Sequence, residues 1–135
     1  MRLLVLTSEP LTGQQLRDAL PAEVDPSDAE VMVVAPALQE DALHFWLSDA
    51  DAAIARAEEV RAQTVEQLDA EGVPASGDTG ESDPAEAIAD ALQSFAADRI
   101  VIFTHGDSER RYREDLDPVE IEERFGIPVD RARAR

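Results

Sequence analysis

Two short polar stretches in this 135-residue sequence carry residue types suited to binding or proton chemistry. Thr7 and Ser8 follow one apolar run, and Thr104, His105 and Gly106 follow another. Hydroxyls and an imidazole can donate and accept hydrogen bonds, and a glycine lets backbone come close to a ligand. Either these residues line a polar pocket for a small molecule, with Ala35 at the end of a third apolar run beside them, or they are the polar residues that any strand-end loop holds. His105 as a general acid or base would make the chain a small α/β enzyme, provided a second polar group lies within reach.

Arg110, Arg111 and Arg113 form a basic cluster a few residues further on. Guanidinium forks suit phosphate or carboxylate. Glu109, Glu114, Asp115 and Asp117 stand beside them, so the alternative is internal ion pairing at the surface. His44 and Trp46 read as packing. No G-x-S-x-G elbow marks a nucleophile. Asp49 with Asp51, and Asp115 with Asp117, lack the glycine and spacing of a calcium loop. With no cysteine there is no thiolate ligand, disulfide or cysteine nucleophile. No metal site and no catalytic residue is expected.

The elements that must position these residues alternate along the chain. Arg2–Leu6 and Glu30–Ala35 are short apolar runs, the latter stopped at Pro36, and both read as strands buried on two faces. Arg99–Thr104 is a third such run, directly before the His105 turn. Between the first two, Thr12 with Gln15 forms a capping box and Leu11 with Leu16 a hydrophobic staple, which predicts a short helix ending near Pro21. The spacing is that of a βαβ unit, so the strands are parallel. Pro36–Leu47 reads as a loop with a helical turn. Ser48 then caps a long helix to about Glu71, with Ala50, Ala53, Ile54, Ala57, Val60, Thr64 and Leu68 on its buried face and Gly72 at its end.

Val73–Thr79 reads as a weak strand at a sheet edge, with Gly77 inside it. Asp83-Pro84-Ala85-Glu86 and Asp117-Pro118-Val119-Glu120 are two further helix starts. Ile88, Ala91, Leu92 and Phe95 line the first of these helices, Ile121 and Phe125 the second. Gly126 ends the latter. Ile127-Pro128-Val129 can begin a fifth strand, although Asp130–Arg135 is a poor continuation. The whole is one domain, 1–135, with a doubly wound, Rossmann-like parallel sheet and helices on both faces. In such a sheet ligands sit beyond the carboxyl ends of the strands, where Thr7 and Thr104 fall.

Thirty acidic residues face twelve basic ones, all arginine, giving a net charge of −18. That field repels phosphate backbones and anionic lipid, which argues against nucleic-acid and membrane partners. No apolar stretch reaches the ~20 residues of a membrane span. The N-terminal run is too short for a signal peptide. The chain is expected in the cytoplasm.

The order of elements, Gly77-Asp78 with Asp83-Pro84-Ala85-Glu86-Ala87-Ile88, the stretch Ala97–Gly106 and the late Phe125-Gly126-Ile127-Pro128-Val129 together resemble the universal stress protein family. The likeness is to a divergent, actinobacterial-type branch whose loop reads Thr-His-(Gly/Pro)-(Asp/Glu), here Thr104-His105-Gly106-Asp107. The resemblance implies strand order 3-2-1-4-5 and often a homodimer through the fifth strand. It also implies a nucleotide site at the strand-1/strand-4 switch, where ATP-binding members hold phosphate on a G-x-x-G loop, with an aspartate after strand 1. Here Gly106 is the one glycine between Gly80 and Gly126, and Thr7 or Ser8 stands where that aspartate would be. The expectation is therefore a non-enzymatic binding or signalling protein in stress response with a degenerate site. No cofactor is firmly implied. ATP is the alternative, held by Arg110, Arg111 or Arg113 in place of the glycines.

Overall fold

A computed structural model describes residues 1–7, 9–36, 50–80, 84–104 and 118–133. Along the inner strands, alternate side chains go to two separate apolar clusters, as they must in a sheet covered on both faces. Leu3, Val5, Val31, Val33, Val101 and Phe103 enter one cluster, and Leu4, Leu6, Val34, Ile100 and Ile102 the other. The elements run β1 (Arg2–Leu6), α1 (Gly13–Ala19), β2 (Glu30–Pro36), α2 (Ala50–Ala70), β3 (Ala75–Gly80), α3 (Pro84–Ser94), β4 (Arg99–Thr104), α4 (Pro118–Phe125) and β5 (Val129–Arg133). Every strand pair is parallel and the sheet order is β3-β2-β1-β4-β5. Leu16 of α1 and Leu68 of α2 join the first cluster, and Ile88 of α3 and Ile121 of α4 the second. The doubly wound sheet expected from the sequence is the one observed.

Local signals act as they should. Thr12 caps α1, its hydroxyl accepting from the Gln15 N–H at 3.2 Å, while the Gln15 amide oxygen accepts from the Thr12 N–H at 2.9 Å. Gly72 and Gly126, just past α2 and α4, have φ of 84° and 67°, a region that side chains with a Cβ rarely enter. Between α1 and β2, Pro26–Asp28 forms a single 3₁₀ turn. The Asp25 carboxylate that caps it accepts from the Ser27 hydroxyl and N–H, which holds its pKa below the ordinary value.

Three expectations need correction. Ile54 is not on a buried face but 45% exposed, whereas Ala57, Val60, Thr64 and Leu68 are buried. At ~1.5 Å per residue the 21 residues of α2 extend ~31 Å. The seven of β2 cover only ~23 Å, so the first turns of α2 overhang the sheet. Pro36 does not stop β2 but is its last residue, in register with Gly80. The third is β5, which continues through Arg133 despite its charges. Asp130 lies in register with Val101, and its carboxylate takes the Arg99 guanidinium at 2.7 Å, so the polar residue is answered from β4. The 36–47 loop beyond Pro36 and the caps Ser48, Asp83 and Asp117 lie outside the described residues.

Candidate functional site

Parallel pairing brings three of the sequence-predicted residues to one end of the sheet. Leu6 is in register with Val34 on one side and Ile102 on the other. One residue on, Thr7 is therefore level with Ala35 and within one position of Thr104. The Thr7 N–H donates to the Val34 carbonyl at 3.1 Å, which ties the exit of β1 to β2. Ala35 is fully buried and packs with Ala57 and Val60 of α2. Thr104 closes β4, in register with Arg133. Ser8, His105, Gly106, Arg110 and Arg111 lie outside the described residues, as do His44, Trp46, Asp49, Asp115 and Asp117.

Thr7 itself is 1% exposed, and its hydroxyl is engaged locally. The hydroxyl donates to the Glu9 carbonyl at 2.6 Å and accepts from the Glu9 N–H at 3.2 Å. A hydroxyl has one proton, so with that proton on Glu9 the side chain is an acceptor towards anything else. The pair of bonds makes a tight turn that starts the chain away from β1.

Two groups that hold the next part of this connection were not read as functional from the sequence. Thr64 appeared as one member of the α2 apolar stripe. It is fully buried, and its hydroxyl accepts from the Leu11 N–H at 3.3 Å, pinning the end of the β1–α1 connection to α2. Its signal was present, since a threonine inside a buried stripe needs a partner for its hydroxyl. The second is Glu71, just past the end of α2. Its carboxylate accepts from the Gly13 N–H at 2.8 Å and from the Gln67 amide at 2.9 Å. These bonds, chiefly the one from Gly13, hold its pKa below the ordinary 4.5. No spacing rule links positions 13 and 71, so this contact needs the fold. Among the described residues no group of three or more histidine or acidic side chains could hold a metal, and no helix is long and apolar enough to cross a membrane.

Five parallel strands in this order, wound by helices on both faces, place the chain in the doubly wound α/β class. Within that class, two solved structures share its fold. A universal stress protein family protein from Arabidopsis thaliana, solved with AMP bound, superposes with a TM-score of 0.65 at 10% identity, over 100% of this chain and 92% of that one. A universal stress protein family protein from Burkholderia pseudomallei superposes with a TM-score of 0.55 at 18% identity, over 96% and 93% of the two chains. The chain thus has the universal-stress-protein-like fold that the motifs around Gly77–Ile88 and Ala97–Gly106 imply. No protein-family model matches the sequence, and no curated protein matches it significantly.

Proposed function

We propose that this chain is a universal-stress-protein-like binding or signalling protein, without catalytic activity, whose nucleotide site at the β1/β4 switch is degenerate. The observation that carries the reading is Thr7. Thr7 or its neighbour Ser8 stands where the resemblance places an aspartate, and the Thr7 hydroxyl donates its proton to the Glu9 carbonyl at 2.6 Å. A carboxylate there could accept two hydrogen bonds from a ligand, whereas this side chain is small, buried and already bonded. The sequence adds that Gly106 is the one glycine between Gly80 and Gly126, so a glycine-built phosphate cradle is missing from that interval. Calorimetry with ATP–Mg²⁺ tests the reading. No saturable heat in the micromolar range is expected, and binding at 1:1 stoichiometry in that range overturns it.

The AMP in the Arabidopsis thaliana neighbour favours a second reading. In it a nucleotide binds at the same strand ends, and Arg110, Arg111 or Arg113 supplies the phosphate contacts that glycine N–H groups supply elsewhere. Gently purified protein would then release nucleotide on denaturation, and Arg110→Ala or Arg111→Ala would release less. An empty chromatogram returns the choice to the degenerate site.

A further inference from the structure

From Val31 to Pro36 the inner strand β2 is buried, with Met32 as the exception. The reason lies in its neighbours. Its register partner on β1 is Leu4, which is completely buried, and on β3 it is Ser76, which is exposed. Asp78, the next β3 residue on this face, is exposed as well. Met32 thus stands half-buried where the covered part of the face ends. It packs against the cluster that holds Leu4, Val34 and Ile88 of α3, and its sulfur accepts from the Ser76 hydroxyl at 3.8 Å, a bond open to solvent.

A thioether is a weak acceptor that oxidants convert to a polar sulfoxide. In an apolar core that change disrupts packing. Here the new oxygen would have the Ser76 O–H to receive it and water beside it. The sequence has no cysteine and one other methionine, Met1, so Met32 is the one sulfur within a strand or helix of the described residues.

We propose that Met32 is a reversible oxidation site of the folded protein, attacked by a hydroperoxide, with Ser76 holding the sulfoxide oxygen. A sulfur lone pair attacks the terminal oxygen of the peroxide. An S–O bond forms, the O–O bond breaks, and the proton on the transferred oxygen goes to the departing hydroxide to give water when the oxidant is hydrogen peroxide. Sulfur loses two electrons and the peroxide gains them. Methionine sulfoxide reductases reverse the step, with two electrons and two protons from a thiol pair, and the oxygen leaves as water. This chemistry is independent of any ligand at the strand ends.

The test is hydrogen peroxide treatment of the ¹⁵N-labelled full chain, followed by mass spectrometry of its peptides. Met32 is expected to gain one oxygen at a rate within about tenfold of Met1 while the amide spectrum stays dispersed. A sulfur reached only by opening of the sheet would lag by about a thousandfold or more. Amide shifts should centre on residues 31–33 and 75–77, and methionine sulfoxide reductases with a thiol should restore mass and spectrum. Ser76→Ala separates a held oxygen from a tolerated one. Oxidation should lower the urea midpoint more in that variant than in wild type, and Ser76→Thr, which keeps the hydroxyl, should match wild type. Oxidation at Met1 alone, uptake at Met32 only with loss of dispersion, a product the reductases leave unchanged, or equal midpoint losses with and without the hydroxyl overturns the proposal.

Discussion

β3 closes one side of the sheet with glycines at 77 and 80, β5 closes the other with Asp130, Arg131 and Arg133, and different forces hold the two strands to the body. β3 is held by fit. A Cβ added at Gly77 would meet Arg61 Cγ at 2.5 Å and Val65 Cγ2 at 2.9 Å, so α2 lies on this strand as closely as a missing side chain allows. β5 is held by charge, through the Arg99–Asp130 pair, and by Val129 packing among the α3 and α4 side chains. On the close-packed strand two outward donors, those of Ala75 and Thr79, are taken by the carboxylates of Asp69 in α2 and of Asp78. Both edges are thereby made poor templates for another strand, β3 by carboxylates on its outward N–H groups and β5 by Glu122 on Val129 and by the charges it carries.

Breaking the fit of β3 gives the largest expected effect. Gly77→Val forces side chain into the α2 contact, and overpacking of this kind costs about 1–3 kcal/mol. Urea unfolding should show a loss towards the upper end of that range. Adding Arg61→Ala should recover only part of it, because Val65 remains in place. Full recovery, or no initial loss, would mean that α2 does not need the glycine and that the difference between the edges is not one of packing.

The charge that holds β5 gives a smaller effect. Arg99 and Asp130 are 21% and 24% exposed, so their bond is only partly screened. Asp130→Ala leaves Arg99 without this partner and should cost about 1–2 kcal/mol, between the range for an exposed ion pair and that for a buried charge-assisted hydrogen bond. Its signature is salt dependence. The gap between wild type and variant should narrow between 0.05 M and about 1 M salt, where the Debye length falls to ~3 Å, while the Gly77→Val gap should not. A salt-independent loss at Asp130 would put β5 in the same category as β3.

Most of this architecture was readable before any coordinates, and the reason differs by element. The apolar runs of β1, β2 and β4 are buried on both faces, so composition alone marks them as inner strands. The capping box at Thr12 and the glycines at 72 and 126 act through neighbours a few residues away, and local rules find them. The errors fall where the decisive partner is remote. Ile54 has helical spacing but sits on turns that outrun the sheet, which depends on the relative lengths of α2 and β2. Asp130 looks hostile to a strand until Arg99, thirty-one residues earlier, is seen across from it. At the candidate site, the convergence of Thr7, Ala35 and Thr104 followed from strand order. The commitment of the Thr7 hydroxyl to Glu9 and of Thr64 to Leu11 did not, because those bonds depend on how the chain leaves β1.

The last turn of α2 sharpens the comparison further, at the smallest scale. Acidic residues at a helix C-terminus meet the negative end of its dipole, yet Asp69 and Glu71 both lie there and no basic residue does. Each is placed by a backbone donor outside the helix, Asp69 by Ala75 of β3 and Glu71 by Gly13 of α1. The Glu71 pKa is depressed, first by the Gly13 N–H and then by the Gln67 amide, so the protein binds this proton less readily folded than unfolded. Its stabilising contribution is thus fully present above the ordinary 4.5 and disappears as pH falls through the lower folded value. Glu71→Gln keeps an oxygen for Gly13 but removes the charge. The variant should be slightly less stable than wild type at pH 7, and the two unfolding curves should converge as pH is taken well below 4.5. Hydrogen exchange at Gly13 should quicken in the variant at pH 7 while that at Ala75 stays unchanged. A matching change at Ala75 would show that the two carboxylates act as one unit and that β3 owes part of its closed edge to α1.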